Sequence, residues 1–83
     1  MLNIKILGSG CPNCKRLEQL ARDAVNNMSI EAEVEKVTDY AAIMEYDILS
    51  TPGLVINEKV VSAGRIPSPA EISTFLADAL TTA

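Results

Sequence analysis

The stretch Gly8-Ser9-Gly10-Cys11-Pro12-Asn13-Cys14-Lys15 holds both cysteines of the chain, with two residues between them. It follows an apolar, partly alternating run over residues 2–7 that is typical of a β-strand. After it, apolar residues recur at helical spacing from residue 17 to residue 28. Pro12 suits a first helical turn, because no intrahelical partner exists there for the N–H that proline lacks. The stretch therefore predicts two cysteines where a strand passes into a helix.

A cysteine at the start of a helix is predisposed to react as a thiolate. Unpaired N–H groups and the helix dipole lower the pKa of a thiol there, and the thiolate is the form that attacks a disulfide. Lys15 adds positive charge nearby, and Gly8 and Gly10 allow a sharp turn that exposes the first cysteine. We predict Cys11 as the nucleophile and Cys14, one turn further on, as the resolving thiol.

Other uses of the cysteine pair follow from the same residues. Cysteines can pack as small buried hydrophobes, and a Cys-x-x-Cys pair can hold a soft metal ion. A closed zinc site needs four ligands, whereas the chain has no histidine and no further cysteine. The residues thus argue against zinc, and they leave two-coordinate copper(I), or a metal shared between two chains, open.

The composition limits the class of protein. With 83 residues the chain is predicted to form one domain, residues 1–83, and 48% apolar residues are ample for a core. A net charge of −4 argues against a nucleic-acid partner, which needs a basic face. No apolar run approaches the roughly 18 residues that would span a membrane. The N-terminus lacks a signal-peptide layout, so we expect a cytoplasmic protein without a membrane segment.

The remaining pattern predicts five further elements. Ile30, Ala32 and Val34 alternate with glutamates, as in an exposed edge strand. A short helix is expected over residues 40–48, capped by Thr38 or Asp39, with Tyr40, Ile43, Met44 and Ile48 facing inward. Two hairpin strands follow at 54–56 and 60–61. A capping box over residues 68–71 opens a last helix with an inward stripe from Ile72 to Leu80. The predicted fold class is α/β, in the order β-α-β-α-β-β-α, with a four-stranded mixed sheet flanked by helices.

This order, with Cys-x-x-Cys opening the first helix, resembles the thioredoxin fold. It is most similar to the small thioredoxin- or glutaredoxin-like redox-active disulfide proteins. The resemblance covers essentially the whole chain and rests on residues 10–15 and on Ser50-Thr51-Pro52-Gly53-Leu54-Val55-Ile56, which looks like that superfamily's Thr-Pro segment. It implies that Pro52 is a cis-proline beside the cysteines and that Thr51 docks an extended substrate. Pro12 and Asn13 are assigned to substrate contact on the same resemblance.

The resemblance implies a thiol–disulfide oxidoreductase that reduces protein disulfides through the Cys11-Pro12-Asn13-Cys14 dithiol. Its only redox group would be the Cys11–Cys14 disulfide, without a separate cofactor or metal. No nucleotide-binding glycine motif occurs, so a flavin disulfide reductase would reduce it in trans. Coupling to glutathione, whose carboxylate Lys15 could meet, stays open. Two other functions remain: a copper carrier, whose family order β-α-β-β-α-β fits poorly, and a non-catalytic adaptor.

The chain departs from ordinary thioredoxin at two places. Pro12 and Asn13 replace the usual Gly-Pro pair between the cysteines, so thioredoxin-like redox strength does not follow. Lys5 takes the position of thioredoxin's buried aspartate. Strand alternation turns Lys5 away from the side of Ile4 and Ile6, which leaves two interpretations, a modulator near the disulfide or a solvated lysine. Tyr46 is assigned either to the site or to the core, and Glu58 to solvated surface.

Overall fold

The computed structural model of the chain describes residues 2–8, 12–48 and 50–82. The strands are β1 (Leu2–Leu7), β2 (Ala32–Val37), β3 (Gly53–Ile56) and β4 (Lys59–Ala63), and the helices are α1 (Pro12–Met28), α2 (Tyr40–Met44) and α3 (Pro69–Thr82). The order of elements is the predicted one. In the part of the chain that the structure describes, no helix combines the length and the apolar character needed to cross a membrane.

The four strands form one mixed sheet in the order β2-β1-β3-β4. β1 runs parallel to β2, with Leu2 opposite Ala32 and Leu7 opposite Val37. β3 is antiparallel to both β1 and β4. β2 is an edge strand, as its alternating glutamates predicted, although it begins at Ala32 rather than Ile30 and continues to Val37. The carboxyl ends of β1 and β2 therefore meet at the same edge as the start of α1.

The two faces of the sheet carry separate hydrophobic clusters. Leu54 contributes to the larger cluster, with Leu17 of α1 and Ile72 of α3. Val55, next in the chain, points to the other face and packs with Ile43 of α2. Burying an aliphatic side chain completely contributes about 1.5–3 kcal/mol, and Leu17 and Leu54 are both fully buried. Burial of Leu17 against the sheet thus fixes α1 and holds its first turn in place.

The α2 helix is shorter than predicted and faces differently. It ends at Met44 instead of residue 48, and Asp39 caps it by accepting a hydrogen bond from the Ala42 N–H at 3.2 Å. Ile43 is buried, but Tyr40 is 75% exposed and Met44 is 47% exposed, so the inward orientation predicted for these two residues is wrong. A single helical turn carries too few residues to define a stripe, and tertiary packing selects the buried one.

The β3–β4 hairpin turns through two residues, Asn57 and Glu58. Both have positive φ, at 51° and 67°, as a type I′ turn requires. The Asn57 N–H donates to the Asn3 carbonyl at 2.7 Å, and the Asn57 side-chain oxygen accepts from the Asn3 N–H at 3.0 Å. The turn is therefore joined directly to the first strand.

The capping box predicted for α3 is confirmed. The Ser68 hydroxyl accepts from the Glu71 N–H at 3.2 Å, and the Glu71 carboxylate accepts from the Ser68 N–H at 3.1 Å. Ile72 and Leu76 lie in the core, while Leu80, assigned to the same inward stripe, is 47% exposed. Leu80 lies in the last helical turn, beyond the part of α3 that is fixed in the core.

Candidate active site

Cys14 lies in the first turn of α1 with its side chain 5% exposed. It is bonded in a disulfide. Leu17, which is fully buried three residues later, anchors the same face of the helix to the sheet. Ser9, Gly10 and Cys11 lie outside the described residues, so the assignment of Cys11 as nucleophile stays a prediction. The cysteine described by the structure is the one predicted to be the less exposed of the pair.

Gly8 provides the space that the Cys14 sulfur occupies. A β-carbon added to Gly8 would overlap Sγ of Cys14 and would lie 3.2 Å from Cβ of Cys14. Gly8 cannot easily move away, because its N–H donates to the Val37 carbonyl at 3.0 Å and its neighbour Leu7 is fully buried. From the sequence, Gly8 was expected only to allow a sharp turn of the chain. A glycine between a buried strand and a Cys-x-x-Cys pair was the available signal for close packing on sulfur.

The Thr51–Pro52 segment, directly before β3, also lies close to Gly8 and Cys14. The Thr51–Pro52 peptide bond is cis, which confirms the predicted geometry of this bond. Cβ of Thr51 would lie 3.9 Å from the β-carbon added to Gly8, so Thr51 and Cys14 both lie close to this glycine. Pro52 is buried and Thr51 is exposed. The arrangement places an exposed residue close to the sulfur of Cys14.

Gly64 supports the Thr-Pro segment from β4. Its N–H donates to the Pro52 carbonyl at 2.9 Å. It has a positive φ of 78°, and an added β-carbon would lie 2.9 Å from Oγ of Ser50. Glycine is the residue that adopts this backbone conformation without steric cost. The glycine after the fourth strand therefore holds the segment through Pro52.

A small cavity lies beside Cys14. Its volume is about 60 Å³, and Ile6, Gly8, Cys14, Lys15, Lys36 and Thr38 line it. Pro12, Asn13 and Lys15 are exposed at the start of α1. Lys36 and Thr38, at the end of β2, were not predicted as site residues, and nothing local in the sequence marked them. A larger groove of about 540 Å³ includes Ile56 and Phe75, and it lies at the opposite end of β3 from Thr51.

Lys5 is held on the opposite face of the sheet from Cys14. It pairs in the sheet with Val55, a member of the α2-side cluster. Its ammonium donates to Glu58 Oε1 at 2.7 Å and to the Tyr46 hydroxyl at 3.1 Å, while the Tyr46 hydroxyl donates to Glu58 Oε2 at 3.0 Å. The hydrogen bond with Glu58, followed by that with Tyr46, raises the pKa of Lys5. In the opposite direction, the hydrogen bond from Lys5, followed by that from Tyr46, lowers the pKa of Glu58.

These contacts correct the prediction for Lys5 and decide the assignment of Tyr46. The Lys5 side chain is only 20% exposed, so the solvated interpretation is wrong, and the contacts that the structure gives it lie with Tyr46 and Glu58 rather than at the sulfur. Tyr46 belongs to the core side, where it packs on the α2-side cluster. Glu58 is 62% exposed, which confirms its assignment to the surface, where it forms an ion pair with Lys5. Among the described residues, no group of three or more metal-ligating side chains is assembled.

Comparisons with known proteins agree with the fold. The family model described as "Thioredoxin domain" matches residues 2–77. Two curated proteins named thioredoxin, from Methanothermobacter thermautotrophicus and Methanocaldococcus jannaschii, are each 40% identical over 76 residues. These matches cover 92% of this chain and 99% and 87% of the relatives.

Two solved thioredoxin structures share the fold of this chain. The germline-specific thioredoxin Deadhead of Drosophila melanogaster superposes with a TM-score of 0.64 at 19% identity. Oxidised thioredoxin of Plasmodium falciparum superposes with a TM-score of 0.61 at 16% identity. In both cases 93% of this chain and 79% of the other are covered, and at these identities the likeness concerns the fold. By its family match and its two curated relatives, the chain belongs to the thioredoxin family.

Proposed function

We propose that the chain reduces protein disulfides through the Cys11-Pro12-Asn13-Cys14 dithiol. The coarser class follows from its relatives: it is a disulfide oxidoreductase of the thioredoxin type. The observation that carries the finer proposal is the position of Cys14. This sulfur is buried, disulfide-bonded and placed in the first turn of α1, beside the exposed Thr51.

The reaction we propose consists of two exchange steps. The Cys11 thiolate attacks one sulfur of the substrate disulfide, the substrate S–S bond breaks, and the leaving thiolate takes up a proton. The Cys14 thiolate then attacks the Cys11 sulfur, which releases the second substrate thiol and closes the Cys11–Cys14 disulfide. Two electrons pass from the dithiol to the substrate, and the protein is left oxidised.

The start of α1 favours the thiolate form that these steps need. The first N–H groups of a helix have no intrahelical partner, and the dipole of a 17-residue helix is positive at this end. Both effects lower the pKa of a thiol placed there. No acidic residue occurs in the first turn of α1 to oppose them. The burial of Cys14 shields it from a protein substrate, which suits it to attack the Cys11 sulfur of the mixed disulfide.

Substrate docking is assigned to the exposed residues around the sulfur. Thr51 is exposed and close to Gly8, while the next residue, Pro52, is buried and accepts a hydrogen bond from Gly64. Pro12 and Asn13 are exposed on the helix side of the same site. An extended substrate chain can lie between these two edges and add main-chain hydrogen bonds to Thr51, as strand addition does elsewhere.

The oxidised protein needs a source of two electrons. We propose a flavin disulfide reductase acting in trans, with the cysteine pair as the chain's only redox group. A dithiol that works as a reductant belongs in a reducing compartment, so we place the protein in the cytoplasm.

A redox equilibrium tests the proposal. The metal-stripped protein is held in a series of dithiothreitol buffers and read by mass spectrometry. We expect a reversible change of two hydrogens confined to Cys11 and Cys14, with the ratio of forms changing tenfold for about every 30 mV. A pair that stays reduced throughout would contradict the proposal and favour the copper carrier.

Two variants test the roles of the cysteines. Cys11→Ser should abolish reduction of a protein disulfide, whereas Cys14→Ser should accumulate a mixed disulfide through Cys11. The mixed disulfide is identified by its mass and by its release with dithiothreitol. Equal activity of Cys11→Ser and the parent would disprove the assignment.

A further inference from the structure

We propose that the cavity beside Cys14 binds a carboxylate of the substrate, so that the protein prefers disulfides flanked by acidic residues. This inference rests on the proposed function and adds a substrate class to it. The cavity has a volume of about 60 Å³. A single water needs roughly 10–15 Å³ measured in this way, so the space admits a carboxylate group.

The charge of the lining favours an anion. Lys15 comes from α1 and Lys36 from β2, Thr38 adds a hydroxyl group, and none of the described lining residues carries a carboxylate. The chain as a whole has a net charge of −4. Two lysines that line the cavity with Cys14 therefore form a cationic site on an acidic protein, which attracts substrates of negative charge.

The ion pairs around the cavity leave Lys36 able to bind a ligand. Lys36 lies 3.8 Å from Glu18 Oε1. The other oxygen of this carboxylate accepts two hydrogen bonds from Arg22, at 3.0 and 2.9 Å. The Lys36 side chain is 60% exposed, so its contact with Glu18 is long, hydrated and readily exchanged. A substrate carboxylate can replace it without leaving Glu18 unpaired, because Arg22 remains bound.

The topology sets the distance between this carboxylate and the substrate cysteine. Thr51 precedes β3, and Lys36 lies in β2, with β1 between these strands. Neighbouring strands lie about 4.8 Å apart, so Lys36 and Thr51 are separated by roughly 10 Å across the sheet. An extended chain covers that span in about three residues. The acidic residue is therefore expected within about three positions of the substrate cysteine.

A pair of disulfide peptides tests this inference. They differ only in carrying Glu or Gln near one cysteine, and kcat/KM for their reduction is measured with the full-length chain. An exposed ion pair contributes up to about 1 kcal/mol, which corresponds to about a fivefold preference for the Glu peptide. The preference should shrink as salt is added. It should disappear in Lys36→Gln and return in Lys36→Arg.

Lys59→Gln is the matched control, because it removes the same charge from a lysine in β4, away from the cavity. It should keep the full preference. If kcat/KM falls equally for both peptides in Lys36→Gln, the carboxylate site is overturned. The same holds if Lys59→Gln loses the preference for the Glu peptide as fully as Lys36→Gln does. A Lys36 effect confined to oxidised glutathione would refute the assignment to a peptide side chain. If the parent reduces neither peptide, the proposed function itself fails, and this inference fails with it.

Discussion

Replacement of Gly8 by alanine tests the packing of the redox sulfur. The new methyl group would overlap Sγ of Cys14 and lie 3.2 Å from its Cβ, with Thr51 Cβ 3.9 Å away. The backbone cannot easily withdraw, since the Gly8 N–H is bonded to Val37 at 3.0 Å. Either the first turn of α1 or the end of β1 must move.

The expected cost follows from this overlap. Inserting a methyl group into a well-packed site typically costs about 1–3 kcal/mol. For a domain of this size, each kcal/mol corresponds to a fall in Tm of roughly 4–8 °C. We therefore expect oxidised Gly8→Ala to unfold at lower urea concentration than the oxidised parent, followed by circular dichroism.

A double-mutant cycle separates the sulfur from other causes. In a Cys14→Ala background the sulfur is absent, so Gly8→Ala should lose most of its effect. Gly53→Ala is the control, because its β-carbon would meet the end of the Ile48 side chain, at 2.9 Å, and not the sulfur. Its cost should be the same in both backgrounds. Equal costs of Gly8→Ala with and without Cys14 would refute the reasoning.

Three further predictions concern stability. Leu17→Ala should lower the free energy of unfolding by about 2–5 kcal/mol in urea titrations, because the removed side chain is fully buried; a loss below about 1 kcal/mol would contradict the described core. Arg65 holds the pKa of Glu71 at about 2, below its ordinary 4.5. This pair therefore stabilises the fold above pH 4.5 and loses its effect as the pH falls towards 2. In Glu71→Gln, the free energy of unfolding should accordingly change less between pH 4.5 and pH 2 than in the parent. Gly64→Ala should cost about 1 kcal/mol or more from its positive φ alone, with a further loss from contact with Ser50; thermal unfolding at parent-like Tm would exclude this.

The features predicted correctly from the sequence depend on local chemistry. The strand-to-helix junction at Cys14, the hairpin and the Ser68 capping box each rest on residues close together in the chain. The contacts of Lys5 were missed because its partners, Tyr46 and Glu58, lie 41 and 53 positions away. No periodic pattern encodes a contact of that kind.

The cationic residues of the cavity were missed for a similar reason. Lys36 sits opposite Ile6 in the parallel register of β1 and β2, so the fold brings it to the side of the sheet that carries α1. The predicted alternation covered only Ile30 to Glu35, and the continuation of the strand to Val37 is what places Lys36 and Thr38 beside Cys14. The face that α2 turns to the core could not be predicted, because this helix spans only five residues.

The reciprocal hydrogen bonds between Asn3 and Asn57 have a consequence for local opening of the protein. Hairpin tips are commonly among the first parts of a fold to fray and to exchange their amide hydrogens. Here the turn is bonded to the first strand by both backbone and side chain, and Glu58 beside it is paired with Lys5. The β3–β4 turn cannot lift from the sheet without also freeing the start of β1. Amide exchange at Asn57 therefore reports the cooperative opening of the sheet centre rather than fraying of a loop.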